Sequence, residues 1–241
     1  MNKKVVIIPT YNEIENIEEI IRVVFALEND FDILVVDDNS PDQTFKKVQE
    51  LQTDFPDRLY LVIRDKKLGL GKAYVHGFKW ALSHNYDYIL QMDADFSHNP
   101  SDLQKLYIAC KKQNIDMSIG SRYLTGVNVV NWPLFRVLLS YFASIYVRLI
   151  LNLKIHDTTA GFVCYKRKVL EKINVNSIIF VGYTFQIEMK YRAFAKGFRL
   201  VEIPIIFKDR IRGKSKMSAG IIREAIFGVI FLRLKKMFGN L

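Results

Sequence analysis

Five short apolar runs, each set apart from the next by enough chain for a helix, restrict this sequence to one kind of architecture. They are Val5-Val-Ile-Ile-Pro9, Ile33-Leu-Val-Val36, Leu59 to Ile63, Tyr88-Ile-Leu-Gln-Met92 and Met117 to Gly120. A strand that is apolar at successive positions has to be covered on both faces, as in the middle of a parallel sheet. Helix-length crossovers between such strands predict an α/β fold: a doubly wound, mostly parallel sheet with helices on both faces. The crossovers carry their own signals. Asn12 with Glu15 reads as a capping box, followed by one apolar stripe of Ile14, Ile17, Ile20, Ile21 and Val24. Ser40, Pro41 and Gln43 read as a second helix start, with Phe45, Val48 and Leu51 on its buried side. Further helices are expected over 71–85 and over 101–112, the latter opened by Asn99 as N-cap and Pro100.

Beyond Asn128 the pattern changes. A long apolar helix is expected over 133–153, then a polar turn, Asp157-Thr-Thr-Ala-Gly161, and a short strand over 162–165. A helix over 184–196 precedes a strand-like stretch over 199–207, which Pro204 places at an edge or a bend. A basic loop and an amphipathic helix follow. Val137 to Val147 and Ala225 to Leu232 are free of charge, but neither reaches the roughly 20 residues of a bilayer span. Both are read as helices that pack on the core or lie at an interface. With no linker or repeat, the 241 residues are expected to form one domain.

The formal charge of +10, from 35 basic and 25 acidic side chains, calls for an anionic partner. Nucleic acid is not expected, because the lysines and arginines are scattered and no recognised binding motif appears. Cys110 and Cys164 lie far apart in apolar segments, which fits a reducing cytoplasmic setting. Met1 leads directly into the first strand without a signal-peptide pattern.

The chemistry is concentrated where strands end. Asp93 and Asp95 follow the central strand, where open α/β sheets bind their ligands. Residues two apart in extended chain project to one side, so the two carboxylates are expected to converge on one cation. Hard oxygens suit Mg²⁺ or Mn²⁺ bridging a diphosphate, while an isolated Asp-x-Asp is equally a solvated acidic turn. Tyr11 offers a ring face to a nucleobase, and Glu13 and Asp37 can accept hydrogen bonds from base or ribose. Asn12 and Glu13 are also ordinary helix-start residues. Asp38, Ser40 and Asp42 read as turn and cap residues. Gly69 and Gly71 allow close approach of a ligand or simply a left-handed turn. Lys67-Leu-Gly-Leu-Gly-Lys72 lacks the spacing of a P-loop. His98 and His156 are read as structural.

Pro9-Thr-Tyr-Asn-Glu13, Val35-Val-Asp-Asp-Asn-Ser40, Lys67-Leu-Gly-Leu-Gly71, Met92-Asp-Ala-Asp95 and Gly120-Ser-Arg-Tyr123 occur in order, each at a strand end. Together they resemble the inverting glycosyltransferases of family 2, which have the GT-A fold. Lys67-Leu-Gly-Leu-Gly-Lys-Ala-Tyr74, Met92-Asp-Ala-Asp-Phe-Ser-His98 and Gly182-Tyr-Thr-Phe-Gln-Ile-Glu-Met189, supported by Asp209-Arg-Ile-Arg-Gly-Lys-Ser-Lys216, narrow the likeness to the dolichol-phosphate or polyprenyl-phosphate mannose synthase branch. The resemblance implies a nucleotide-sugar half over 1–123 and an acceptor half over 124–241. It implies a nucleotide-sugar site of Pro9, Tyr11, Glu13, Asp37, Asp93, Ala94, Asp95 and Arg122, with Asp93, Asp95 and Arg122 catalytic. Arg122 would meet the diphosphate. Arg136 and Ser140, four apart on one helix face, would hold a lipid phosphate, with Arg210 and Lys216 closing over it. Gln186 and Glu188 would border the sugar, although Glu188 is also placed to pair with a nearby lysine. Ser97 stands where some relatives have a glutamine that binds the metal.

The implied reaction is metal-dependent, inverting transfer of mannose from GDP-mannose to a polyprenyl or dolichyl monophosphate. UDP-glucose is the alternative donor. The implied setting is cytoplasmic, with the protein held peripherally on an anionic membrane surface at its cytosolic face. Some relatives carry C-terminal transmembrane helices, whereas this sequence reaches Leu241 after one amphipathic helix, so a separate membrane-anchoring subunit is an expected partner.

Overall fold

The structure, a computed structural model, describes residues 2–209 and 219–239. Strand β1 (Lys4–Thr10) leads to helix α1 (Ile17–Phe25), β2 (Asp32–Asp37) to α2 (Thr44–Leu51), and β3 (Leu59–Ile63) to α3 (Leu70–Ser83). Then come β4 (Tyr88–Gln91), α4 (Asp102–Lys111) and β5 (Met117–Ser121). The second half adds β6 (Val129–Val130), α5 (Leu134–Leu151), β7 (Val163–Lys166), α6 (Arg167–Ile173), α7 (Tyr183–Ala195), β8 (Leu200–Pro204), β9 (Phe207–Lys208) and α8 (Ala219–Met237).

Seven strands form one sheet in the order β3-β2-β1-β4-β7-β5-β8, and β6 pairs with β9 in a small ribbon. All pairings in the large sheet are parallel except those of β7, which runs antiparallel between β4 and β5. Successive residues of β1 face opposite sides: Val5 and Ile7 enter one apolar cluster, Val6 and Ile8 the other, and all four are fully buried. Each such side chain withdrawn from water contributes about 1.5–3 kcal/mol. The first cluster takes residues of α3, α6 and α7, the second those of α1, α2 and α4, so the sheet is covered on both faces as its apolar strands require. Pro204 sits at the end of the edge strand β8.

Two helix starts differ from expectation. Asn12 has φ 58° and caps nothing; α1 begins five residues later, and Ile14 is exposed. The backbone N–H groups of Asn12, Glu13 and Ile14 instead donate to Ser40 Oγ, Thr44 Oγ1 and Asp42 Oδ2 at 3.1, 3.0 and 3.1 Å. The loop after β1 is thus tied to the loop after β2, which removes those donors from any cap. Ser40 likewise does not open α2: Gln43 is left-handed (φ 66°) and the helix starts at Thr44, whose N–H donates to Asp42. Before α4, Asn99 Oδ1 accepts from the Ser101 N–H, and the helix begins at Asp102.

The long helix α5 buries only Ser144, Val147 and Leu151. Its 18 residues, with mean hydropathy 1.7, are long and apolar enough to cross a membrane by length and composition, which corrects the expectation that no segment is. Helix α8 buries Val229 and Leu232 while exposing Ile226, Phe227, Ile230, Phe231, Leu234 and Met237. Its described outer surface is therefore largely apolar, with the charged Arg223 and Lys236 exposed among these side chains.

Candidate active site

Strand β1 is followed by β2 and β3 on one side, and the chain then returns to β4 on its other side. The order reverses between β1 and β4, and a crevice opens beyond the carboxyl ends of two such strands. A cavity of about 450 Å³ lies there. Asp93, Asp95, Ser97 and His98 line it from the loop after β4, Gly120 and Arg122 from the end of β5, and Thr159, Ala160 and Gly161 from the turn before β7. Arg136, Ser140 and Tyr146 enter from α5, Tyr183 and Gln186 from α7, and Ala225 and Ile226 from α8.

Asp93 accepts a hydrogen bond from the hydroxyl of Tyr74 at 3.2 Å. Tyr74 has no exposed surface, and burial raises its pKa well above the ordinary phenol value, so it remains a donor. Asp95 Oδ1 accepts from the Ser97 N–H at 3.1 Å, and Phe96 is left-handed (φ 57°). The segment after Gln91 is therefore a tight turn rather than the extended chain expected, yet it delivers both carboxylates to one cavity. Among the described residues, no group of three or more His, Cys, Asp or Glu is arranged to hold a metal ion. Two carboxylates alone still fit Mg²⁺ or Mn²⁺, which bind through one or two carboxylates with phosphate oxygens and water completing the shell. The Ser97 hydroxyl, buried and without a hydrogen-bond partner among the described residues, adds a neutral oxygen beside them.

Arg122 is buried and held by Asp157: Nε and Nη2 donate to its carboxylate at 2.7 and 2.6 Å, and the backbone N–H adds a third bond at 3.0 Å. Nη2 also donates to Thr159 Oγ1 at 2.8 Å. Burial raises the Asp157 pKa, but the Arg122 guanidinium outweighs it and the net shift is downward. The Arg122 charge thus reaches the cavity already matched by a carboxylate. Arg136 donates to Asp209 at 3.0 Å and stacks its guanidinium over Trp132 at 4.1 Å. Arg136 and Ser140 share the cavity wall, as their spacing implies. Gln186 is 2% exposed, and neither atom of its amide has a hydrogen-bond partner among the described residues.

Other expected residues are placed elsewhere. Glu188 is fully buried outside the cavity: it pairs with Arg192 at 2.8 Å and accepts from the Ile179 and Phe180 N–H groups. It holds the chain before α7 and is not among the residues lining the cavity. Asp37 is fully buried and accepts from Thr10 Oγ1 at 2.6 Å and from the hydroxyl and N–H of Ser40 at 2.7 and 2.8 Å. These bonds lock the turn after β2. Pro9 and Tyr11 lie at the end of β1, and the Lys67 ammonium stands 4.1 Å from the Tyr11 ring, over the face expected to meet a base. Glu13 accepts from Asn16 Nδ2 at 3.2 Å, and Ala94 is buried. Gly69 is left-handed (φ 96°), while Gly71 lets α3 meet Phe180 and Phe185 closely, a protein contact rather than a ligand contact. His98 stacks on Phe162 at 4.7 Å, and burial pushes its pKa down to about 4. Arg210 and Lys216 lie outside the described residues.

Tyr74, Asp157 and Trp132 escaped the sequence reading. The polar turn over 157–161 was visible, but not that its first carboxylate pairs with an arginine 35 residues earlier.

Residues 5–174 match the model of a family described as glycosyl transferase family 2. A polyprenol monophosphomannose synthase of Mycolicibacterium smegmatis is 47% identical over 227 residues, which cover 94% of this chain and 85% of that protein. An undecaprenyl-phosphate mannosyltransferase of Micrococcus luteus is 41% identical over 223 residues, 92% of this chain and 90% of that protein. Among solved structures, glucosyl-3-phosphoglycerate synthase from Mycobacterium tuberculosis, in complex with Mn²⁺, uridine diphosphate and phosphoglyceric acid, superposes with a TM-score of 0.70. That match is 15% identical and covers 96% of this chain and 78% of the other. The fold is thus the GT-A type expected from the sequence.

Proposed function

Because the chain belongs to glycosyl transferase family 2 and is a glycosyltransferase, we propose that it transfers mannose from GDP-mannose to a polyprenyl monophosphate. The observation that carries this reading is the continuity of one cavity. Its lining joins Asp93 and Asp95, the polar groups of Arg122, Arg136 and Ser140, and the apolar side chains of Leu139, Phe142, Ala143, Val147 and Ala225. A charged donor, a phosphate acceptor and a hydrocarbon tail need that combination of surfaces. The names of the two mannosyl-transferring relatives point to the same acceptor class.

Asp93 and Asp95, with Ala94 between them and Tyr74 orienting Asp93, would hold Mg²⁺ or Mn²⁺ beside the donor diphosphate. When bound, such an ion supplies charge neutralisation for a departing nucleoside diphosphate. Arg122, fixed by Asp157, presents its guanidinium to the diphosphate without freedom to move. The nucleoside lies toward Pro9, Tyr11 and Glu13, with the Lys67 ammonium beside the base, and Asp37 keeps that turn in shape. Gln186 offers its buried amide to the hexose hydroxyls. Arg136 and Ser140 hold the acceptor phosphate, and Arg210 and Lys216 belong to the same phosphate grip. The acceptor oxygen attacks the anomeric carbon opposite the leaving group and inverts it. A phosphate monoester, whose second pKa is near ~6, is already anionic at neutral pH, so no general base is required.

Residues 1–123 hold the donor and 124–241 the acceptor. Helices α5 and α8 lie on the cytosolic face of an anionic membrane, their exposed apolar side chains in the interface, with a membrane-anchoring subunit as a further partner. Incubation with radiolabelled GDP-mannose or UDP-glucose, polyprenyl phosphate liposomes and Mn²⁺ tests the proposal. Label is expected in the lipid phase from GDP-mannose, and Asp93→Ala should abolish it. Preference for UDP-glucose would replace the donor; lipid label from neither would reject the reaction.

A further inference from the structure

Lys190 lies in the middle of α7 with no exposed surface. Its Nζ donates to the carbonyl of Ala160 at 2.6 Å and to that of Gln186 at 3.2 Å. Both acceptors belong to residues of the cavity wall. An amine is an expensive way to fill a core position, since an apolar side chain would bring no desolvation cost. Burial pushes the Lys190 pKa down to about 7; Asp157 and Glu202 pull it up, and Arg122 pushes it further down. The other charges on this part of α7, Glu188 and Arg192, are paired with each other.

One carbonyl is that of Gln186 itself, and the other belongs to the turn before β7. Ala160 is followed by Gly161, where an added Cβ would stand 3.5 Å from Gln186 Nε2. The same turn supplies Asp157 and Thr159, which hold Arg122. We propose that Lys190 is a positioning residue for donor recognition, clamping the 157–161 turn onto α7 so that Gln186 and Gly161 meet the hexose in fixed register. This rests on reading the cavity as a hexosyl-transfer site. The ammonium form makes the stronger, charge-assisted bonds to the two carbonyls. Donor affinity should therefore weaken as pH rises through neutrality, where the diphosphate of a nucleotide sugar does not itself titrate.

Calorimetric binding of GDP-mannose and, in parallel, UDP-glucose tests the clamp in wild type, Lys190→Met, Gln186→Ala and the double variant. Lys190→Met should lower affinity for the bound donor by about tenfold and flatten its pH profile. Combined with Gln186→Ala it should add little, since residues of one hydrogen-bond network couple. The KM for polyprenyl phosphate should not change. Wild-type affinity in a folded Lys190→Met, equal losses toward donor and acceptor, or a flat wild-type pH profile would each overturn the clamp. The wild-type profile carries the test even should Lys190→Met fail to fold. Donor binding without transfer to lipid would reject the proposed reaction and not the clamp.

Discussion

Asp157 has no exposed surface, and the energy of its pairing with Arg122 lies mostly in what happens when one partner is removed. A buried ion pair gains little over an apolar substitute, but a charge left alone costs about 3–5 kcal/mol. Asp157→Asn should lower the unfolding midpoint accordingly. The pH sign follows from the lowered pKa of Asp157 in the fold. The unfolded chain takes up its proton first as pH falls, so the stabilisation is complete above the ordinary carboxylate pKa of about 3.9 and is lost on acidification below it. Acid-unfolding curves should show a shallower acid limb for Asp157→Asn. Tyr74→Phe removes the hydroxyl that orients Asp93, and a supporting contact of that kind typically contributes about 10–100-fold to metal affinity. A Mn²⁺ titration of the folded variant should show a loss in that range. Asp93, Asp95, Arg136 and Ser140 were legible because strand ends and helical spacing are local properties. Tyr74 and Asp157 were not, since their partners lie 19 and 35 residues away. The Asp37 partner Thr10 was not legible for the same reason, being 27 residues distant.

At the scale of elements, the glycines after β3 show how one pattern serves different ends. A Cβ on Gly71 would stand 2.8 Å from the Phe180 carbonyl oxygen and 2.9 Å from Phe185 Cγ. Backbone does not yield readily, so Gly71→Ala should cost about 1–3 kcal/mol by overpacking, read as a lower denaturant midpoint at unchanged slope. The sequence shows that the chain needs glycine there, but not that the neighbour is a loop more than a hundred residues later. Helix existence was legible from apolar periodicity. Two helix starts were not, because the cap pattern at Asn12 competes with Ser40, Asp42 and Thr44 for the same N–H groups. On α5, Leu134, Phe135 and Leu149 are 72%, 76% and 76% exposed. Each is worth about 1.5–3 kcal/mol if fully withdrawn from water. Replacing all three by serine should weaken liposome flotation strongly while leaving thermal stability nearly unchanged; unaltered flotation would remove α5 from the proposed membrane face.

Over the whole molecule, the alternation of apolar strands and crossovers was enough to read a parallel, doubly wound sheet. The antiparallel insertion of β7 between β4 and β5 was not readable, because an apolar run of four residues carries no direction. What the assembled fold adds is proximity: the carboxylates after β4 and the apolar wall between α5 and α8 bound one space. Net charge of +10 fits the proposed anionic surface, where each well-placed Lys or Arg contributes about 1 kcal/mol at low salt. The most direct measurement is photocrosslinking with a polyprenyl phosphate that carries a photoreactive group in its first isoprene unit, mapped by mass spectrometry in the presence of donor and Mn²⁺. The account predicts adducts on Leu139, Phe142, Ala143 or Ile226, lost on competition with unlabelled polyprenyl phosphate. Competable adducts confined to Asn16, Glu19 and Lys105, in the neighbouring groove that shares Asp95, Ser97 and His98 with the cavity, would contradict it.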